Sequence, residues 1–247
     1  VENNVFIIRV ATPSDVHYAE QITNEMAESA RARGTGIARR SPDYIAQKMR
    51  EGKAVIATTP DGTWVGFCYI EAWQHEEYVA NSGLIVAPPY RKSGVARAIK
   101  KRIFELSREK YPQAKIFGLT TGLAVMKINS ELGYEPVTYD ELTSDDEFWK
   151  GCQSCVNYEI LMSKNRKNCL CTAMLYDPAS ARNAAAPVQT VVTPSGKLKR
   201  KRRRLFKGNL KLFERWVRFK QYVLLRSRKN GDNKSSARNI LSHFIFW

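Results

Sequence analysis

Leu84-Ile85-Val86-Ala87-Pro88-Pro89-Tyr90-Arg91-Lys92-Ser93-Gly94-Val95-Ala96 runs from an apolar β-rich segment through a proline turn into the start of a helix. Ser93, Gly94 and Ala96 are small, so consecutive backbone N–H groups can approach a bulky anion. The free donors and the positive end of the helix dipole both favour phosphate there. A diphosphate needs no side-chain help at such a loop. Arg97, Lys100 and Lys101 follow at once, with positive potential for a further phosphate. Glycine motifs of this length also open many unrelated helices, so the meaning of this one depends on its flanks.

Upstream, Val5 to Val10 reads as a short strand. Thr12-Pro13-Ser14-Asp15 is a helix start, with a capping residue, a proline in the first turn and an early acid. That helix should run towards Arg31 and break at Gly34-Thr35-Gly36. Ser41-Pro42-Asp43 starts a second helix, which Glu51-Gly52 ends. Ala54 to Thr59 and Thr63 to Trp73 read as strands joined by a hairpin at Pro60-Asp61-Gly62. Asn81 to Val86 is a further strand, Val95 to Tyr111 a helix, Lys115 to Thr121 a strand and Leu123 to Leu132 a helix. This alternation favours an α/β or α+β layered domain over a bundle or a sandwich.

Arg91-Lys92-Ser93-Gly94-Val95-Ala96 is similar to the Arg/Gln-x-x-Gly-x-Gly/Ala acyl-CoA loop of GNAT acetyltransferases, with Ala96 in place of the last glycine. Leu132-Gly133-Tyr134 resembles the Gly-aromatic ending of the family's second signature. SGLIVAPPYRKSGVA, FGLTTGLAVMKINSELGYEPV and the cysteine-flanked segment after them resemble a bacterial group labelled N-acetylglutamate synthase-like and associated with arginine biosynthesis. The likeness covers about residues 5 to 178. It implies an α+β, α/β/α-layered GNAT fold with a central mixed, mostly antiparallel sheet flanked by helices, followed by a basic tail. The strand before the loop and the strand at Lys115 to Thr121 would splay apart to admit pantetheine.

The activity implied is acyl-CoA-dependent N-acyl transfer to the amine of a small metabolite, with acetyl-CoA as default donor and succinyl-CoA as an alternative. Amides of Lys92 to Ala96 would hold the pyrophosphate, with Arg91 and Arg97 at the loop's edges. Backbone N–H groups near Leu84, Ile85 and Val86 would stabilise the oxyanion. Where the family often places a tyrosine acid this chain has Asn129, which donates a hydrogen bond but has no proton to lose. Either Tyr134, Tyr90 or water then protonates the thiolate, or no acid is needed. Glu71, Glu76, Glu77 and His75 are the base candidates, and each also reads as a solvated surface group. The segment between the first two helices would overhang the acceptor, and Arg33, Arg39 and Arg40 could grip carboxylates there, which suits glutamate. Arginines near a helix end also simply complement its dipole.

Cys152 and Cys155 precede a β-rich run, Val156 to Met162, and Cys169 and Cys171 follow it. Two close pairs match the logic of a structural tetrahedral zinc–thiolate site at 152–171, although redox pairs or plain buried thiols fit the same residues. Cys68 lies alone in an apolar strand and reads as core.

The net charge of +16 is a tail property, because 15 Lys and Arg fall in residues 197–230 against the single acid Glu214. The chain thus divides into a catalytic domain over 1–178, an Ala/Pro/Ser/Thr-rich linker over 179–196 and a basic, partly helical tail over 197–247. The tail's spacing suits contact with RNA, an anionic membrane or an acidic partner, and equally an extension with no role. Nothing resembles a signal peptide or a membrane span, so the expected location is cytoplasmic. A homodimer is compatible with the reading. The competing class is a binding protein, acyl-CoA-sensing or RNA-associated, that keeps the fold without the chemistry. An acyltransferase acting on a protein or polyamine amine is a third reading.

Overall fold

A computed structural model describes residues 5–34 and 39–180. The expected linker and basic tail, apart from Ala179 and Ser180, lie outside the described residues, as does the Thr35 to Ala38 part of the arginine-rich segment. No described helix is long and apolar enough to cross a membrane.

The first strand, β1 (Ile7–Val10), leads into a 3-10 turn, Pro13–Tyr18, and then helix α1 (Ala19–Arg33). The expected single helix is therefore two pieces. Asp15 sets the start: its carboxylate accepts the Thr12 N–H at 2.7 Å and pairs with Arg9 at 2.7 Å. Gly34, at φ 59°, ends α1 in the left-handed conformation. Ser41 caps α2 (Pro42–Arg50) by accepting the Tyr44 N–H.

Strands β2 (Ala54–Thr58), β3 (Trp64–Trp73) and β4 (Tyr78–Val86) form an antiparallel meander with β1 on its outer edge. Helix α3 (Val95–Lys110) crosses over to β5 (Lys115–Thr120), which with β4 makes the one parallel pair among the described residues. Helix α4 (Leu123–Glu131) follows, then β6 (Glu135–Val137) and β7 (Thr172–Tyr176). The seven strands lie in the order β1-β2-β3-β4-β5-β7-β6. This is the mixed, mostly antiparallel sheet flanked by helices that the sequence implied.

The sheet is covered on both faces. Ile22, Met26, Ile45 and Met49 of α1 and α2 pack on Phe67 and Tyr69. On the other face, α3 buries Ile99, Ile103 and Leu106. The long connection between β6 and β7 carries the short helices α5 (Asp146–Lys150) and α6 (Tyr158–Ser163), and its Tyr139, Trp149 and Leu161 pack with Phe117 and Ala80.

Two readings change. Val156 to Met162, expected as a strand, is mostly α6: Tyr158 and Leu161, three residues apart, turn into the core, while Val156 and Met162 stay exposed. Strand β4 starts at Tyr78, not Asn81, because Trp73 and Tyr78 are joined by a tight turn. That turn contains no glycine, yet Gln74, His75 and Glu76 all have positive φ. The Gln74 side chain holds it, bonded to Thr143 and Ser144 at 2.9 Å each.

Two features position the site. Strands β4 and β5 pair only at Tyr78–Lys115, Val79–Ile116 and Ala80–Phe117. Beyond them, the nine-residue β4 has no partner on that side. In addition, the β3–β4 register slips by one between Phe67↔Ile85 and Tyr69↔Ser82, so Gly83 and Leu84 face the single Cys68 as a bulge. Gly83 has φ 66°, and a Cβ there would stand 2.3 Å from Tyr69 Cε1.

Gly83→Ala should therefore lower stability by about 2 kcal/mol or more, seen as a lower urea midpoint at unchanged slope. Asp15 gives a pH test. Arg9, followed by the Thr12 hydrogen bonds, holds its carboxyl down at about 2 against the cost of burial. The stability it supplies is complete above an unfolded-state pKa of about 3.9 and lost as pH falls towards the folded value. Asp15→Asn should flatten the acid limb of a stability–pH curve, and an unchanged limb would refute this assignment.

Candidate functional site

The residues expected to hold a diphosphate lie together on the connection from β4 to α3. After β4 the chain makes a 3-10 turn, Pro88–Tyr90, then Lys92 at φ 66° and Gly94 at φ 89° bend it into α3. Arg91 to Gly94 are exposed, and Ser93 Oγ donates to the Tyr90 carbonyl at 2.6 Å, closing the turn. The amides of Lys92, Ser93, Gly94, Val95 and Ala96 have no backbone acceptor among the described residues. Nothing lies within 4 Å of a Cβ built on Gly94. The result is an open cup of free donors on a helix N-terminus, the geometry that binds diphosphate.

The side chains around the cup do less than expected. Arg91 turns inward: its Nε donates to the Val86 carbonyl at 3.0 Å, and its Nη2 to Glu25 at 2.8 Å and Ser29 at 2.7 Å. It braces the loop against α1. Arg97 is exposed and pairs with Glu131 at 2.5 Å. Lys100 is buried on the inner face of α3, so it does not meet a phosphate as expected. Lys101 is exposed, with Glu105 at 3.9 Å. A larger groove of about 660 Å³ lies beside the loop base, but Glu20, Glu25 and Glu28 line it. That charge has the wrong sign for pyrophosphate.

Between the cup and the bulge, the open side of β4 faces the gap left by β5. Alternate main-chain groups from Asn81 onward, those of Leu84 to Val86 among them, have no strand partner there among the described residues.

On the α3 face of the gap, Tyr134 donates its hydroxyl to Asn81 Oδ1 at 2.9 Å, and Asn81 Nδ2 donates to Ser107 Oγ at 2.8 Å. Asn81 is the first β4 residue beyond the closed ladder. Burial, then Cys68 and Tyr176, raise the Tyr134 phenol well above its ordinary value, so it stays protonated at neutral pH. The Lys100 ammonium lies 5.4 Å from that ring, and burial lowers its pKa. Asn129 is also buried, with Nδ2 3.8 Å from Met174 Sδ and Oδ1 without a partner. Tyr90 packs edge-on against Phe6.

On the opposite face, Glu71 is not a solvated surface group. It is buried, accepts the Tyr44 hydroxyl and has Arg40 Nη2 at 3.6 Å. Arg40 Nε donates to Tyr69 Oη at 3.0 Å, and the Tyr69 ring lies against Gly83 of the bulge. Burial pulls the Arg40 pKa down, but Tyr69 and Glu71 outweigh it and leave the pKa raised. Burial and then Glu71 raise both phenols. Sequence reasoning singled out Arg40 and Glu71 but missed Tyr44 and Tyr69, whose contacts need three separate elements to meet.

The other candidates lie elsewhere. His75, Glu76 and Glu77 are exposed in the β3–β4 turn, at the closed end of the ladder. Arg33 is exposed and lies in the electrostatic reach of Arg91 and Glu25, with a pKa lowered by burial and then Arg91. Arg39 is exposed and uses its backbone N–H to reach Ser154 Oγ at 3.0 Å. Of the three arginines, only Arg40 points into the polar cluster.

Residues 25–125 match the model of the acetyltransferase (GNAT) family. No curated protein matches the chain. Among solved structures, the chain is similar to N-acetylglutamate synthase from Neisseria gonorrhoeae, complexed with coenzyme A and N-acetyl-glutamate. Identity is 16% and the TM-score 0.51, over 72% of this chain and 36% of the synthase. It is also similar to Rv2747 from Mycobacterium tuberculosis in complex with CoA and NLQ, at 18% identity and TM-score 0.50, over 69% of this chain and 98% of that one. At these identities the likeness is one of fold.

The Arg40–Glu71 contact predicts coupled stability effects. Arg40→Ala and Glu71→Gln should each destabilise, and the double variant should lose less than their sum by about 1 kcal/mol. Strict additivity in urea unfolding would show that the two side chains do not share one network.

Proposed function

We propose, from the match of residues 25–125 to the acetyltransferase (GNAT) family model, that this chain is an N-acetyltransferase that acylates the amine of a small amino acid, glutamate first among candidates. The observation that carries the reading is the open run of amides from Lys92 to Ala96, continuous with the unpaired edge of β4. On this reading coenzyme A lays its pyrophosphate in the cup and its pantetheine along the gap, so that the thioester comes to the bulge. Acetyl is the default acyl group, with succinyl as the alternative.

The faces of the gap then divide the work. The acceptor approaches from the α1–α2 face, where Arg40 supplies a carboxylate-binding fork beside Glu71 and Tyr69. A neutral amine attacks the thioester carbon, N–H groups at the bulge stabilise the oxyanion, and the thiolate leaves. Tyr134, protonated and bonded to Asn81 beside the gap, is the proton donor to that thiolate. Glu71 is the base candidate, and its contacts with Tyr44 and Arg40 fix its orientation. The Neisseria synthase, similar in fold, is complexed with coenzyme A and N-acetyl-glutamate, which supports glutamate as acceptor; the place in arginine biosynthesis rests on the sequence resemblance alone.

Thiol release from acetyl-CoA and succinyl-CoA against a panel of amino acids tests this directly, with turnover expected on glutamate. Tight coenzyme A binding without turnover on any amine would favour the sensing alternative. Gly94→Val forces a branched side chain to φ 89° in an exposed loop. It should weaken coenzyme A binding at least tenfold, about 1.4 kcal/mol, while the strained loop lowers the thermal midpoint only modestly and the protein stays folded. Calorimetry showing unchanged affinity would remove the loop from the site.

A further inference from the structure

The four cysteines that the acyl-transfer reading leaves unused stand around one cavity. Cys152, Cys155, Cys169 and Cys171 all line a space of about 30 Å³ beneath the β6–β7 connection. The Cys155 N–H donates to the Cys152 carbonyl at 2.9 Å, so the first pair forms one tight turn. Asn157 sits among the sulfurs. Its N–H donates to Cys155 Sγ at 3.4 Å, and its carbonyl accepts from Cys169 Sγ at 3.8 Å.

The Asn157 side chain supplies the second observation. It is 2% exposed, lines the cavity, and has an Nδ2 without a partner among the described residues. A buried amide donor needs an acceptor. Thiolate sulfur would supply one, and four thiolates persist in such a space only when a cation balances them. The connection itself needs a fastening: residues 138–171 contain two helices of five and six residues and two 3-10 turns. A segment that long with so little regular structure is a usual place for a metal cross-link.

We propose that Cys152, Cys155, Cys169 and Cys171 bind one zinc ion as a closed structural site. Four S–H groups release their protons to solvent, four Zn–S bonds form, and the set carries two net negative charges. Without an ion the sulfurs are spread around the cavity, and among the described residues no group of three or more His, Cys, Asp or Glu is arranged to hold a metal ion. Binding draws the two pairs inward. The Arg40 guanidinium faces the added charge, with Nη2 3.5 Å from the position of a Cβ on Gly151, next to Cys152. Because Ser154 also holds Arg39, the ion fixes the wall beside Arg40. Only this last consequence rests on the acyl-transfer reading.

The test uses the full chain, purified under reducing conditions and dialysed against zinc. Elemental analysis should find one zinc per chain, unchanged in Cys68→Ser and lost in Cys155→Ser and Cys169→Ser. Should those variants fail to fold, the unaltered protein still decides. Cobalt in place of zinc should show thiolate charge-transfer absorption, and added zinc should protect four thiols from a thiol reagent. No metal with four thiols equally reactive in the presence and absence of zinc would overturn the proposal, as would disulfides between these cysteines. Coenzyme A binding measured on the same samples separates the two claims, because it should survive chelation while the thermal midpoint falls.

Discussion

Three residue pairs, Tyr78–Lys115, Val79–Ile116 and Ala80–Phe117, join β4 to β5, and the rest of the site depends on the ladder ending there. A sheet that opens in its middle exposes main-chain groups on two inner edges, which is normally a liability. Here each edge strand keeps its other neighbour. Strand β5 pairs with β7 from Ile116 to Thr120, and β4 pairs with β3 from Tyr78 to Val86 apart from the bulge. The strands can therefore part without fraying, and the unpaired groups remain for water or for a ligand with amides of its own. Pantetheine is such a ligand, so the opening is the fold-level reason to place a coenzyme there.

The bulge at Gly83 links that opening to the polar cluster. One extra residue shifts the β4 pleat just where the strand has lost β5, and the space over Gly83 is filled by the Tyr69 ring. Tyr69 is held in turn by Arg40, and Arg40 stands by Glu71 and Tyr44. A side chain on α2, two on β3 and one in the α1–α2 connection are thus tied to the backbone of β4. The acceptor-side residues and the proposed oxyanion donors share one rigid support, which is what a reaction sensitive to small misplacements requires.

Legibility followed the kind of group involved. The phosphate cup was readable because backbone chemistry leaves a mark in sequence: small residues, a glycine at positive φ and a helix start within six positions. The strand and helix order was readable for similar reasons. The β3–β4 turn was not, since Gln74, His75 and Glu76 adopt positive φ without glycine, held by Thr143 and Ser144 some seventy residues on. Helix α6 was misread because its β-branched and aromatic composition hid a helical spacing of two buried residues. Lys100 looked like a phosphate ligand because it follows the loop closely with Arg97 and Lys101, and only the helix phase turns it inward. Side-chain sites such as the Tyr44–Glu71–Arg40–Tyr69 cluster depend on contacts between distant elements, which no local pattern records.

The same distinction bears on the proton donor. The family pattern points to the position of Asn129, but that side chain is buried against Met174 and has no acidic proton. Tyr134, five residues on, is the proposed donor: it carries a phenolic proton, although burial makes it a weaker acid, and its hydroxyl is aimed at Asn81 just beyond the end of the ladder. Its partner is a neutral amide oxygen, a weaker acceptor than a thiolate. A leaving thiolate within reach would therefore capture the hydrogen bond, while Asn81 holds the phenol in place until then. On the proposed reading, the proton that Asn129 does not supply comes from the aromatic ending of the same motif.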